Sequence, residues 1–389
     1  MKTGFIWRGV APCSLLMLVL PGTMSCTPAG AGAPPAVVAR PPAVVMAEAK
    51  KPAVPRQTFT NPVVRDAADP WVVYHKGNYY MTRTVGWGVA VRKSPTLAGL
   101  ADAPETPIWR GAGPGFESYT RDVWAPEIHF LRGKWYAYFT ATDGPDANRR
   151  VFCVASEGDD PQGKYTWKGK VEPPSESFYA IDGTVYERPT DKSLFFLWSG
   201  RDPQNTGSAQ NIYIAPMSDP WTVSGPRVRL STPQFDWERK GWLVNEGPEI
   251  LYKNGKTFVV YSASGGTTPD YALGLLTNTD GKLLDAASWS KSDKPVFAQY
   301  DGPEGHVYTP GHNGFFQSPD GKESWIFYHG KEEKDGRWSG RHARAQQFTW
   351  KSDNTPDFGH PIPAGVALAV PSGEKPAPQT ANTVKQGSK

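Results

Sequence analysis

An all-β fold, arranged as a five-bladed β-propeller with four-stranded blades, is predicted from three features of this 389-residue sequence. Aromatic residues make up 12% of the chain, and 40 Gly and 38 Pro interrupt it, a composition more typical of a β-rich domain than of a helical one. Short runs of Val, Ile, Tyr, Phe and Trp alternate with turn residues, whereas helical periodicity is hard to find. The third feature is an internal repeat that fills the body of the chain.

Residues 1–26 have the composition of a signal peptide. Two basic residues precede an apolar run, Ser14–Leu20, which is too short to span a bilayer. The residues before Cys26 loosely resemble a bacterial lipobox, although Thr23 stands where Leu is usual. Either Cys26 carries a lipid that anchors the protein to a membrane, or the leader is cleaved in the ordinary way and Cys26 is unused.

Residues 27–56 are rich in Pro and Ala and contain no aromatic residue, so we expect a disordered tether. The propeller is expected over residues 57–371, and residues 372–389 are expected to form a second disordered segment.

Residues 1–56 hold six Lys or Arg and one Glu, which leaves 36 basic and 37 acidic residues in the rest of the chain. The body is therefore nearly neutral, which argues against nucleic-acid binding. Cys153 is its single cysteine, so no disulfide forms within the domain.

Five segments repeat one pattern: a small or acidic residue near Pro or Gly, a short strand, a turn that usually contains Gly, and an aromatic-rich strand. They begin 55 to 65 residues apart, at Ala68, Ala125, Ile181, Glu246 and Gly311. A unit of about 60 residues fits one four-stranded propeller blade, and the Asn-Gly and Asp-Gly turns are strong hairpin signals. A sandwich or barrel with accidental self-similarity is the alternative, but the five matches are evenly spread.

Residues at the start of each first strand should meet near the propeller axis, because that strand lines the central channel. The repeats place there Asp69, Glu127, Asp182, Glu246 and His312. Any single acid is equally well explained as a turn former. Several converging acids raise one another's pKa, however, a cost that a turn does not require.

Such a cluster suits glycoside hydrolysis. One carboxylic acid protonates the leaving oxygen, while a carboxylate opposite activates water or attacks carbon. Aromatic side chains nearby would stack on sugar rings, and Trp71, Trp87 and Trp124 are placed for that role in the sequence. The chain has 15 Trp, so most of them must serve packing or the surface.

From "FTNPVVRDAADPWVVYHKGNYYMT" to "GRHARAQQFTW" the domain resembles glycoside hydrolase family 43, five-bladed propellers of inverting enzymes that act on arabinose- and xylose-containing polysaccharides. "ADPW" resembles the family's general-base motif and implies Asp69 as the base. "AIDGTVYE" resembles the motif of a third acid and implies Asp182, which would raise the pKa of the general acid and hold it in position. "NEGPEI" resembles the general-acid motif and implies Glu246.

Other residues of the family pattern are matched less closely. Glu127 in "WAPEI" stands where Asp is common, and we expect it to support substrate binding behind Trp124. Gly183 replaces a frequent Pro. His312 in "GHNG" resembles a family His near the axis, sometimes linked to a calcium ion or its waters; a structural hydrogen-bonding His is the alternative. Arg344 in "GRHARAQ" resembles an Arg that reaches the sugar, with a structural ion pair as its alternative. The chemistry needs no cofactor, and no EF-hand pattern occurs.

The start of the domain looks most like the α-L-arabinofuranosidase or exo-arabinanase branch of the family. A β-D-xylosidase and an endo-1,5-α-L-arabinanase are the alternatives, because loops that sequence resolves poorly decide between them. Gly111–Trp124 is expected to close one end of the cleft and to favour exo action. The leader predicts export to the periplasm, the cell surface or the medium.

Two rival interpretations are weaker. A fructan-hydrolase propeller also uses the Arg-Asp-Pro found in "GRDPQN", but the neighbours of Asp69 and Glu246 differ from that group's, so we interpret the tripeptide as a surface turn. A non-catalytic sugar-binding propeller would share the aromatic residues and the tether. Binding neutral sugars does not require three acids, which favours an enzyme.

Overall fold

The computed structural model describes residues 56–111, 119–202 and 209–375. The predicted signal peptide, nearly all of the tether, most of the C-terminal tail and residues 112–118 of the cleft loop lie outside the described residues. Regular structure in the described part is almost entirely β. Its helical segments are the short 3₁₀ turns Ala98–Leu100, Asp146–Asn148, Asp236–Glu238 and Ala286–Ser288. None of these helices is long and apolar enough to cross a membrane.

Antiparallel sheets follow one another along the chain, and consecutive strands pair within each sheet, except that the last strand of the third sheet pairs with the strand two before it. The first strand is β1 (Thr58–Thr60). Blade I consists of β2 (Trp71–His75), β3 (Asn78–Thr82), β4 (Val89–Ser94) and β5 (Thr106–Trp109). Blade II consists of β6 (Arg121–Leu131), β7 (Lys134–Thr142), β8 (Arg150–Ser156) and β9 (Tyr165–Lys170). Blade III consists of β10 (Ala180–Glu187), β11 (Leu194–Arg201), β12 (Gln210–Asp219), β13 (Thr222–Val223) and β14 (Val228–Ser231).

The last two blades complete the ring. Blade IV consists of β15 (Asn245–Lys253), β16 (Lys256–Ala263), β17 (Ala272–Asn278) and β18 (Trp289–Lys291). Blade V consists of β19 (Tyr300–Gly302), β20 (Gly305–Gln317), β21 (Ser324–Lys331), β22 (His342–Trp350) and β23 (Pro356–Asp357). A final strand, β24 (Ala367–Ala369), pairs with β1. The predicted five-bladed propeller is confirmed, with a short extra strand in blades III and V.

The inner strands of the blades touch one another in a closed circle. Strand β2 contacts β6, and the contacts continue through β10, β15 and β20 back to β2. These five strands therefore surround the axis, as the repeat pattern predicted. Residues where they begin are brought to one end of the molecule.

Apolar layers fill the spaces between neighbouring blades, and alternate residues of a strand enter different layers. In β8, Val151 and Cys153 enter the layer between blades II and III, whereas Phe152 and Val154 enter the layer between blades I and II. Both faces of a blade are thus buried. This explains why the blade strands are runs of consecutive apolar and aromatic residues and not strict alternations of apolar and polar ones.

The two ends of the domain hold blade V against blade I. Thr58 pairs with Ala369 in the β1–β24 ladder. The Asn61 side chain donates a hydrogen bond to the Ala345 carbonyl (3.1 Å) and accepts one from the Ala345 N–H (2.9 Å). Phe59 enters the apolar layer between these two blades. This closure is what brings the start of blade I beside the loops of blade V.

Candidate active site

Before or within the inner strand of every blade, one residue near the axis has a left-handed backbone conformation. The angle φ is +51° at Asp69, +42° at Ala125, +54° at Asp182, +52° at Gly247 and +48° at His312. Register shifts interrupt the ladder at this level in blades II to V. Such a conformation costs a non-glycine residue on the order of 1–3 kcal/mol. Because strained residues cluster at functional sites, its recurrence around the axis indicates a functional site there.

This ring corrects the alignment of the repeats in two blades. Ala125 and not Glu127 is the equivalent residue in blade II, and Gly247 and not Glu246 in blade IV. A Cβ on Gly247 would lie 3.4 Å from Nδ1 of His312, so the glycine satisfies both the positive φ and the close approach of that ring. Glu246 therefore lies one residue before the left-handed position of its blade.

Asp69 is held as a carboxylate. The Thr84 hydroxyl donates to its Oδ2 (2.7 Å) and Arg341 Nη1 donates to its Oδ1 (2.8 Å). Nδ1 of His312 and Nδ1 of His329 lie 3.6 and 3.5 Å from the same Oδ1. Burial by itself would raise the pKa of Asp69, but Arg341, the two histidines and the Thr84 hydrogen bond hold that pKa well below its usual range. Asp69 is therefore ionised at neutral and mildly acidic pH.

Glu246 has the opposite tendency. The Tyr271 hydroxyl donates to its Oε1 (2.8 Å) and the Gln210 amide donates to its Oε2 (3.2 Å). Burial raises the pKa of Glu246 and the charge of Asp69 raises it further, which outweighs the opposing effects of His312, Tyr271 and Gln210. Glu246 thus tends to keep its proton.

Asp182 is the third carboxyl of the cluster. The Gly247 N–H donates to its Oδ2 (3.1 Å). Burial raises the pKa of Asp182 to about 7, helped by the charges of Glu246 and Asp69 and opposed by His312. One permanent carboxylate and two proton-retaining acids in one place are the pattern of an acid–base site.

His312 provides positive charge at the centre of the cluster. Its backbone N–H donates to the Ser262 hydroxyl (2.8 Å). Burial would lower the pKa of His312, but Asp69, Asp182 and Glu246 raise it above its ordinary value. No group of three or more His, Cys, Asp or Glu side chains in residues 56–111, 119–202 and 209–375 is arranged to hold a metal ion.

Two adjoining cavities open at this end of the propeller. The smaller, of about 310 Å³, is lined by Asp69, Thr84, Trp124, Ile181, Asp182, Glu246, His312, Trp338 and Arg341. The larger, of about 570 Å³, is lined by Trp124, Asp146, Tyr179, Ile181, Arg201, Gln210, Arg239, Gly241, Trp242, Leu243, Val244, Glu246 and Trp338. All three predicted catalytic acids line the smaller cavity, together with the predicted Trp124 and His312.

Neither cavity is lined by the other two predicted tryptophans. Trp71 packs between blades I and II, where its Nε1 donates to the Ile128 carbonyl (2.9 Å) and its ring lies 4.7 Å from that of His129. Trp87 is 41% exposed and carries the Arg110 guanidinium 4.3 Å from its ring centre. The structure thus brings Trp124, and not Trp71 or Trp87, to the acids.

Arg344 is placed differently from its predicted position at the sugar. Its side chain is 0% exposed, its Nη2 donates to Glu332 (3.0 Å) and its Nη1 donates to the Ile362 carbonyl (3.3 Å). Arg341, three residues earlier in the same "GRHARAQ" segment, reaches the cavity and binds Asp69. The segment thus reaches the cavity through Arg341 and not through Arg344, because side chains an odd number of residues apart along an extended chain point to opposite sides.

Glu127 is also withdrawn from the cavities. It is buried, and its Oε2 lies 2.7 Å from Nε2 of His129. Burial raises the pKa of Glu249 well above its usual range, and the charge of Glu127 and a hydrogen bond between the two side chains add to it. Glu249 therefore keeps its proton and shares a hydrogen bond with Glu127 inside the propeller.

Sequence reasoning missed several residues that complete the site. Thr84, His329 and Tyr271 contact the acids from parts of the blades that carry no recognisable motif. Arg201, which we assigned to a surface turn, ends β11 and lines the larger cavity with its guanidinium 3.8 Å from the Tyr179 ring centre.

Known proteins are similar to this chain in sequence. An extracellular exo-α-(1→5)-L-arabinofuranosidase of Streptomyces avermitilis is 40% identical over 331 residues, which are 82% of this chain and 67% of that protein. α-L-Arabinofuranosidase 43 of Humicola insolens is 36% identical over 80% of this chain and 66% of its own length. The chain therefore spans about two thirds of the length of these relatives.

The fold and the sequence also match a solved structure. The crystal structure of an α-L-arabinofuranosidase from Lactobacillus brevis aligns with a TM-score of 0.72 and 38% identity over 79% of this chain and 98% of that one. The family model described as "Glycosyl hydrolases family 43" matches residues 59–356, nearly the whole described domain. The resemblance noted in the motifs is thereby confirmed, and the chain belongs to glycoside hydrolase family 43.

Proposed function

We propose that this protein is an inverting, exo-acting α-L-arabinofuranosidase. The observation that carries the proposal is the presence, in one small cavity, of an ionised Asp69 and of a Glu246 whose pKa is raised. An inverting glycosidase needs both, because a carboxylate takes a proton from water while a carboxylic acid gives one to the leaving oxygen. The arabinofuranoside specificity is supported by the names of the relatives from Streptomyces and Humicola.

In the proposed reaction, water that donates a hydrogen bond to Asp69 attacks the anomeric carbon and its proton passes to Asp69. Glu246 gives its proton to the glycosidic oxygen as the bond to that oxygen breaks, and the configuration at carbon is inverted. Arg341 keeps Asp69 ionised beforehand. Asp182, whose pKa is also raised, lies beside Glu246 and holds the start of β15 through the Gly247 N–H. Exchange with solvent then restores both protonation states.

The pH profile of kcat/KM should be flat on the acid side and should fall on the alkaline side. Asp69, whose pKa is lowered, stays ionised in acid, whereas Glu246, whose pKa is raised, loses the proton that catalysis needs as the solution becomes alkaline. Asp182→Asn should move the alkaline limb to lower pH, because the repulsion between the Asp182 and Glu246 carboxylates, which disfavours ionisation of the pair, is then lost. An alkaline limb that does not move would contradict this coupling.

Substrate class is tested with an aryl α-L-arabinofuranoside and an aryl β-D-xyloside. We expect hydrolysis of the arabinofuranoside, release of β-arabinofuranose as the first product by NMR, and single arabinose units from linear 1,5-α-arabinan. Turnover of the xyloside alone would keep the mechanism and change the sugar. Shortening of arabinan without early release of arabinose would indicate endo action. Binding without any turnover would indicate a sugar-binding propeller.

Arabinose-containing polysaccharides or oligosaccharides are the proposed partners, and the propeller over residues 57–371 is the proposed catalytic domain. Export is supported by the leader and by the word "extracellular" in the names of two Streptomyces relatives. The proposed location is the periplasm, the cell surface through a lipid on Cys26, or the medium. The reaction requires no cofactor, and a structural calcium ion beside His312 is assigned no step in it.

A further inference from the structure

The two cavities share one wall. Trp124, Ile181, Glu246 and Trp338 line both of them, whereas Asp69 and Asp182 line the smaller cavity and not the larger. The general acid of the proposed function thus stands at the boundary, with the base on one side of it. What the larger cavity binds can be inferred from this arrangement, and the inference rests on that proposed function.

Asp69 and Glu246 must flank the bond that is broken. The sugar that is attacked lies on the side of Asp69, in the smaller cavity. The leaving group begins at the oxygen that Glu246 protonates, so it continues into the larger cavity. The larger cavity is therefore where the rest of the substrate binds.

An exposed aromatic pair stands in this larger cavity. Trp242 is 48% exposed and Trp338 is 53% exposed, and their rings are stacked with centres 5.5 Å apart at 25°. Trp242 precedes β15 of blade IV, and Trp338 lies between β21 and β22 of blade V. Leu243, 49% exposed, extends the apolar surface next to Trp242. Aromatic area left in water by two separate segments is characteristic of a binding surface.

We propose that Trp242 is the specificity-determining residue for the leaving-group sugar, which packs against the ring of Trp242 beside Trp338. The polar side chains of Arg201, Arg239 and Gln210 line the same cavity and can donate to sugar hydroxyls. An aromatic face with a few polar donors recognises a neutral sugar ring. The occupant is thus the next arabinosyl unit of an oligosaccharide or polysaccharide.

A buried carboxylate, that of Glu238, holds the chain that leads to Trp242. Glu238 accepts hydrogen bonds from the N–H groups of Gln234 and Phe235 (2.7 and 2.9 Å) and from the Tyr261 hydroxyl (2.9 Å). Lys291 Nζ lies 2.6 Å from Oε1 of Glu238. These contacts hold residues 234–238, which lead into the segment of Trp242, in a fixed arrangement and so reduce the entropy cost of binding there.

The test compares two substrates in Trp242→Ala. α-L-Arabinofuranosyl fluoride fills the smaller cavity and has no sugar in the larger one, whereas 1,5-α-L-arabinotriose extends through both. We expect kcat/KM for the triose to fall about tenfold, as loss of aromatic stacking predicts, with the fluoride unchanged. Trp242→Phe should restore part of the loss. Leu284→Ala, an exposed apolar residue of blade IV that lines neither cavity, should change neither substrate.

An unchanged triose rate in Trp242→Ala would overturn the proposal. Equal losses on triose and fluoride would overturn it as well, because Trp242 would then act through the shape of the smaller cavity. If the unmodified protein hydrolyses neither substrate, the proposed arabinofuranosidase function itself is wrong. Failure of the function is in this way separated from failure of the leaving-group site.

Discussion

Asp69→Asn should lower kcat/KM for every arabinofuranoside by about 10²- to 10⁴-fold, the usual contribution of a general base. The amide has nearly the same shape but no affinity for a water proton. Because attack by water is required whatever the leaving group, α-L-arabinofuranosyl fluoride should lose as much activity as 1,5-α-L-arabinobiose. The measurement is kcat/KM on both substrates, with binding of arabinobiose to the variant followed by calorimetry.

Asp66→Asn is the matched control for Asp69. Asp66 lies three residues earlier, its side chain is 81% exposed and its backbone φ is +48°, which Asn also tolerates. We expect wild-type kinetics from it. Because Asp69→Asn deprives Arg341 of its ionic partner, thermal unfolding of the variant is measured as well. A cooperative transition shows that the loss of activity does not come from unfolding. A folded Asp69→Asn that still hydrolyses the fluoride at the wild-type rate would remove Asp69 from the role of base.

The fold was predictable because it is repeated. Each blade must bury both faces, so consecutive apolar residues recur with the turns between them, and five copies of this pattern leave few alternatives. The short strands β13, β14, β19 and β23 were not predictable from the repeats, since two to four residues carry too little periodicity. The pairing of β1 with β24 was not predictable either, because it joins the two ends of the domain and no local motif encodes it.

The three acids were predictable because each one lies where an inner strand begins. Their partners were not. Thr84, Tyr271 and His329 reach the acids from other parts of the blades, and the register between strands decides which of their side chains arrive. Arg341 and Arg344 illustrate the same limit, since two arginines in one segment end in different environments. The sequence thus predicted the candidate reacting groups, and the structure identified side chains that shift their pKa.

Glu246→Gln should separate leaving-group chemistry from attack by water. On 1,5-α-L-arabinobiose, whose alcohol leaves only with a proton, we expect kcat/KM to fall about 10²- to 10⁴-fold. On α-L-arabinofuranosyl fluoride, the leaving fluoride ion needs no full proton transfer. We therefore expect kcat/KM on this substrate to fall by less than about tenfold. The alkaline limb of the pH profile on the fluoride should also flatten, because the group whose raised pKa produces that limb is gone.

Glu249→Gln is the matched control for this variant, in the same strand β15. Glu249 is buried against Glu127 and its pKa is raised well above its usual range, so a neutral amide imitates its protonated form. We therefore expect both substrates to be hydrolysed normally by Glu249→Gln. Equal losses on the two substrates in Glu246→Gln would contradict the general-acid assignment. A selective loss there, together with the uniform loss in Asp69→Asn, has one explanation in this cavity: proton donation and water activation are divided between carboxyls whose surroundings shift their pKa in opposite directions.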